Sequence, residues 1–103
     1  EKPGKPGKPV IGEITDNSIA LTWKAPEDDG GAEIFNYIIE YKPALEYKWC
    51  KANVDEMVPE RAYTVTGLIT NEDYEFRVTA ENKAGTGPPS DSTDIVKCKA
   101  PLG

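Results

Sequence analysis

Apolar and polar residues alternate along most of this chain, and no helix-length window takes up the 3.6-residue period of a helix. A period of two puts successive side chains on opposite faces of an extended strand. The clearest run is "DYEFRVTA", where Tyr74, Phe76, Val78 and Ala80 alternate against Glu75, Arg77, Thr79 and Glu81. "SIALTWK" places Ile19, Leu21 and Trp23 on one face, and "IFNYIIEYK" does the same with Tyr37, Ile39 and Tyr41 before Pro43 ends it. Val10 to Thr15 reads as an edge-like first strand and "EYKWCKAN" as a short one carrying Trp49. "AYTVT" turns Tyr63 and Val65 inward, and "DSTDIVKCK" does so with Val96 and Cys98. Turn-rich breaks separate these runs: "APEDDGG", "DEMVPER" with Pro59 barring a central strand, and Asn82 to Pro89. About seven short strands at regular spacing predict an all-β, antiparallel two-sheet sandwich of the immunoglobulin-like kind.

The 103 residues make one domain, large enough to bury a core without staples. Residues 1–8, within "EKPGKPGKP", read as a linker from a preceding domain, partly polyproline II, because Pro blocks helix and Gly loosens the chain. The domain proper is expected over 9–99, with 100–103 as an exit linker. With no initiator Met and no signal-peptide core, the segment is expected to be a piece of a longer chain. No apolar run approaches the roughly 20 residues that span a bilayer, so no membrane partner is expected.

A net charge of −6 would repel a phosphate backbone, which argues against nucleic acid. The chain has no His, so it lacks the commonest general base and zinc ligand, and its two cysteines alone cannot complete a zinc site. Glu27-Asp28-Asp29 before Gly30-Gly31 lacks the spaced oxygens that calcium requires and reads as a solvated turn. No glycine-rich phosphate cradle occurs, and no His stands ready to activate the many Ser and Thr hydroxyls. The expectation is no catalytic residue, no metal and no cofactor.

"SIALTWKAPEDDGGAEIFNYIIEYK", followed by "YTVTGLITNEDYEFRVTAENKAGTGPPSD", closely resembles a fibronectin type III domain from about Pro9 to Lys99. Trp23 matches the family's core Trp on the second strand, Tyr37 the Tyr of the third, and Leu68 and Tyr74 the corner before the sixth. Phe76 and Val78 continue that strand inward. A tyrosine corner would send the Tyr74 hydroxyl back to backbone near Leu68. In the loop after this strand, Asn82, Gly85 and Gly87 tolerate positive φ. That loop has neither the Arg-Gly-Asp of integrin-binding members nor, further on, the Trp-Ser-x-Trp-Ser of cytokine receptors.

The loop wording and the Lys-Pro lead-in are similar to the giant intracellular muscle proteins of the titin and twitchin group and to myosin-binding protein C. That resemblance implies a structural, non-enzymatic module that gives mechanical stability, spacing and docking surface along the thick filament. Its implied partners are neighbouring immunoglobulin or fibronectin type III domains in the same chain, with myosin or other thick-filament proteins beyond them. Its implied place is the cytoplasm, in the sarcomere, and the isolated domain should be monomeric. A kinase domain, where a parent chain carries one, lies outside this segment. The alternative is an extracellular adhesion or receptor module of the same fold. None of Asn17, Asn36, Asn53, Asn71 and Asn82 heads a glycosylation sequon, which leans toward the cytoplasm. In the family arrangement Cys50 falls on the fourth strand and Cys98 on the seventh, at opposite edges of one sheet. Three strand spacings of about 4.8 Å hold their backbones roughly 14 Å apart, beyond the ~7 Å that a disulfide allows. Two free thiols, with Cys98 buried, would suit a reducing compartment.

Overall fold

A computed structural model describes residues 1–102 and contains eight strands and no helix among them. They are β1 (Val10–Ile14), β2 (Ile19–Thr22), β3 (Asn36–Pro43), β4 (Cys50–Lys51), β5 (Ala62–Val65), β6 (Asp73–Asn82), β7 (Gly85–Pro89) and β8 (Val96–Lys97). One antiparallel sheet runs β1-β2-β5, and the other runs β4-β3-β6-β7 with β8 also on β6. β3 and β6 form its spine, paired without a break from Asn36↔Glu81 to Pro43↔Tyr74.

The inward members of the alternating runs fill the space between the sheets. Ile19, Leu21, Trp23, Tyr37, Ile39, Val65, Leu68, Tyr74, Phe76, Val78, Ala80 and Cys98 are all buried. Each large apolar side chain so enclosed contributes about 1.5–3 kcal/mol relative to exposure. Tyr74 lies under the β5–β6 loop, and its hydroxyl oxygen accepts the Ile69 N–H at 2.9 Å. The Leu68 N–H donates to Asn17 O and the Thr70 hydroxyl to Asp16 O, so this loop is tied to the β1–β2 turn. Tyr74→Phe keeps the ring but strands the Ile69 donor. It should cost about 1–3 kcal/mol in chemical denaturation; an unchanged midpoint would mean the donor finds water instead.

Two expectations change along the last part of the chain. Asn82 to Pro89, expected as a loop, is mostly a hairpin: β6 runs on to Asn82, Lys83 and Ala84 turn, and β7 returns along β6. Of its three turn residues only Gly85 has positive φ, at 127°. The last edge is also interrupted. β7 pairs with β6 near Asn82 and β8 pairs with it near Tyr74, so the two share the edge expected as one strand. In the gap, the Ser90 hydroxyl oxygen accepts from Val78 N–H and that of Thr93 from Phe76 N–H. Their own amides donate to Val78 O and Phe76 O. Side-chain oxygens thus replace main-chain carbonyls where β7 cannot continue.

The opposite edge uses the same substitution. β4 has only two residues, yet the buried Asn53 extends its ladder. Its Oδ1 accepts from Ile39 N–H at 2.9 Å, and its Nδ2 donates to Tyr37 O at 2.8 Å. Val58, in the segment expected as plain loop, is buried, and its carbonyl accepts from Tyr37 N–H.

Cys50 is exposed on β4 and Cys98 is buried just past β8, with β3 and β6 between them; both thiols are free. Burial pushes the Cys98 thiol above its usual range, with the Asp16 charge adding to the effect. Burial also raises the Tyr37 phenol, against a smaller opposing pull from Arg61. Both groups are neutral when protonated, so the unfolded chain ionises first. Stability is then full below the unfolded values, about 8.5 for Cys and 10 for Tyr, and falls as pH rises through the folded ones. The melting temperature should therefore drop steadily above about pH 8.5, and Cys98→Ala should flatten the early part of that drop. A midpoint constant to pH 10.5, roughly past the unfolded Tyr value, would contradict this.

Candidate functional site

Three surfaces bear chemistry beyond the core, and the first is the groove that holds the lead-in. Residues 1–8, expected as a linker, are packed against the domain. Pro3, Pro6 and Pro9 are buried, while Lys2, Lys5 and Lys8 face solvent. A period of three is that of polyproline II, which has three residues per turn. The glycines donate on one side, Gly4 N–H to Asp28 O and Gly7 N–H to Lys24 O, both at 2.9 Å. The lysines reach the other side, Lys5 to Asp91 at 3.0 Å and Lys8 to Asp94 at 3.2 Å.

Asn82 closes the far end of the groove. It is a buried anchor whose Nδ2 donates to Glu1 O at 2.7 Å and Asp29 O at 2.8 Å, while its Oδ1 accepts from Ala84 N–H. Gly87 is explained by close approach, since a Cβ there would collide with the Pro3 carbonyl; a Cβ on Gly30 would meet that of Glu1. Gly30 and Gly31 have φ of 76° and 81°, and their N–H groups donate to the Asp28 and Asp29 carboxylates in tight turns. The acidic loop is thus occupied with its own backbone.

The second surface is the outer face of β4, β3 and β6. Glu40 lies opposite Arg77 and Lys42 opposite Glu75, with ion pairs of 2.9 and 3.0 Å. The Arg77 guanidinium sits 4.4 Å from the Trp49 ring centre and the Lys42 ammonium 5.8 Å. Such partly covered cation–π contacts contribute about 0.5–1 kcal/mol each. Ile38 shares this face and is half-buried opposite Thr79. The third surface is the pole where the chain leaves. There the β3–β4 turn carries Leu45 and Tyr47, 95% and 98% exposed, and the β5–β6 loop carries Ile69.

Sequence reasoning placed Trp23, Tyr37, Leu68, Tyr74, Phe76 and Val78 in the interior, where the structure buries all six. It passed over Asn53, Val58, Ser90 and Thr93, which stand in irregular segments. The available signal for the groove was the Lys-Pro-Gly period itself. The described residues contain no metal-binding cluster of three or more His, Cys, Asp or Glu.

The model of the fibronectin type III domain matches residues 4–96, most of the chain, and begins inside the lead-in. The chain belongs to the fibronectin type III family. This fold is non-catalytic, and the chain is a structural module of it. It is 44% identical to titin of Drosophila melanogaster over 89 residues, which is 86% of this chain and rounds to 0% of that protein. It is 41% identical to Roundabout homolog 3 of Homo sapiens over 96 residues, 92% of this chain and 7% of that one. A titin module from human cardiac muscle, solved by NMR, superposes with a TM-score of 0.86 at 40% identity, covering 96% of this chain and 95% of that module. The chain thus spans less than a tenth of the curated relatives it matches.

Proposed function

We propose that this fibronectin type III chain is a load-bearing spacer of a titin-like intracellular muscle filament protein. It stands in a row of neighbouring immunoglobulin and fibronectin type III domains and presents docking surface along the thick filament. The observation that carries this reading is the position of the chain ends. Glu1 is bonded beside Asn82 at one end of β6, and Cys98 is bonded beside Glu72 at the other. Tension applied through the ends therefore runs along the strands, in a body 45 Å long and 28 × 24 Å across. The β1–β2 and β6–β8 ladders lie across that pull. Antiparallel hydrogen bonds are perpendicular to their strands, so they are loaded together instead of peeling singly. The identity to fly titin and the fit to the human cardiac module support the muscle setting.

Docking by myosin or another thick-filament protein would use the Trp49–Arg77 face or the exposed Leu45 and Tyr47. The lone domain is monomeric and binds weakly, because modules in arrays gain avidity by repetition. Tandem copies stretched through their ends in a single-molecule instrument should give one force peak per module. A smooth extension without peaks would remove the mechanical reading.

The identity to Roundabout homolog 3 favours a second reading, an extracellular module of the same fold. Thiol state bears on the first reading. Thiol counting on the purified, unreduced, unfolded chain should find both Cys50 and Cys98 free, as a reducing cytoplasm allows. Neither thiol free in a monomer lighter by two hydrogens would overturn the strand assignment and remove the support that free thiols give to the intracellular placement.

A further inference from the structure

We infer that the groove between Trp23–Gly31 and Gly85–Asp94 is a binding site for a Lys-Pro-Gly repeat in polyproline II form, filled in this chain by its own residues 1–9. The inference is independent of the mechanical reading, because it rests on how the lead-in is held.

Every residue type of the repeat meets its own kind of partner. The prolines at positions 3, 6 and 9 are enclosed, Pro3 among the most completely buried side chains of the chain. Gly4 and Gly7 each give an amide to one wall, at Asp28 O and Lys24 O. Lys5 and Lys8 each meet a carboxylate on the other wall, Asp91 and Asp94. A Lys in place of Gly7 would crowd that wall, since a Cβ there would already lie 3.3 Å from Lys24 Cβ. The register is therefore set by the enclosed prolines, the two Gly amides and the tight approach at Gly7. A polyproline II segment is also already extended, so little conformational freedom is lost when it docks. The walls match this ligand as well: Gly87 leaves room for the Pro3 carbonyl, and Asn82 hydrogen-bonds the Glu1 carbonyl.

The occupant is thus a Pro-rich, lysine-bearing segment with a period of three. The tethered copy wins within one chain because its effective concentration is on the order of millimolar. The same repeat on another chain is the ligand when the tethered copy is weakened.

The test uses the full chain followed by NMR. In the natural chain, the Gly4 and Gly7 amides should exchange with solvent on the order of tenfold or more slower than in the free peptide EKPGKPGKP. Free-peptide rates at both glycines would overturn the proposal. In the Pro3→Asp/Pro6→Asp chain, two enclosed rings give way to carboxylates that burial disfavours, and the lead-in should release without touching the core, which free-peptide exchange rates at Gly4 and Gly7 verify. The added peptide EKPGKPGKP should then give saturable shifts at Gly87, Asp91 and Asp94, weakening as salt is raised. No shifts, or shifts confined to another face, would overturn it. Gly87→Val in the same background should abolish the peptide response while the Phe76 and Val78 amides stay protected. A peptide response that survives Gly87→Val would also overturn it.

Discussion

Trp23→Ala should lower the unfolding free energy by about 3–5 kcal/mol, a large part of the ~5–15 kcal/mol that holds a typical domain. Trp23 is 5% exposed and sits just past β2, held in the ladder by its N–H to Arg61 O at 3.1 Å. Its ring meets Tyr37 edge to face, with centroids 5.5 Å apart. The indole spans the gap between sheets that pack about 10 Å apart, and no smaller side chain reaches across it. Truncation leaves a cavity which β2 and β3 cannot close, because both are pinned by ladder bonds. Urea denaturation followed by circular dichroism avoids the loss of the fluorescent reporter. A midpoint near that of the natural chain would place Trp23 outside the working core. Trp23→Phe should cost less, since it keeps a ring, and the buried indole N–H has no protein acceptor to lose.

Asn53→Ala should cost about 2–6 kcal/mol, although it deletes only a small polar group from a loop. The price of leaving a buried donor or acceptor unpaired is about 1–3 kcal/mol each. Here the Ile39 N–H and the Tyr37 carbonyl both lose their partner. Asn53→Asp would retain the acceptor for Ile39 but face the Tyr37 carbonyl with a buried negative charge, so it should be no milder. Hydrogen exchange gives the specific readout. The Ile39 amide should lose protection far beyond the global change, while Phe76 and Val78 on the next strand keep theirs. A loss spread evenly over the sheet would show that Asn53 acts only through general packing.

The contrast between these two residues shows where the sequence is legible. Trp23, Tyr37, Phe76 and Val78 could be placed from the chain because pleated backbone forces every second side chain to one face. That rule needs no knowledge of distant contacts. Asn53, Val58, Ser90 and Thr93 sit where the backbone is irregular, and their roles depend on which strand edge lies beside them. Ser90 and Thr93 serve Val78 and Phe76, and nothing local in "PPSDSTD" announces that. Asn82 shows a subtler gap. Its residue type suggested tolerance of a left-handed turn, but its value lies in an amide that reaches Glu1, at the other end of the chain. The lead-in was visible as a repeat. Its groove was not, because the walls come from segments far apart in sequence.

The broken edge formed by β7 and β8 bears on how such modules live beside one another. An uninterrupted edge strand offers free donors and acceptors to any similar strand nearby, and that is a route to aggregation. Domains joined in a row keep their neighbours at high local concentration, so misassembly between modules is a standing hazard. Here Pro88 and Pro89 contribute no amide hydrogens, and the backbone leaves the strand path until Val96. The hydroxyls of Ser90 and Thr93 keep β6 satisfied inside, while the outer rim presents no continuous template for a foreign strand. Placed in a row of near-copies, a fold with that irregular rim would refold with greater selectivity.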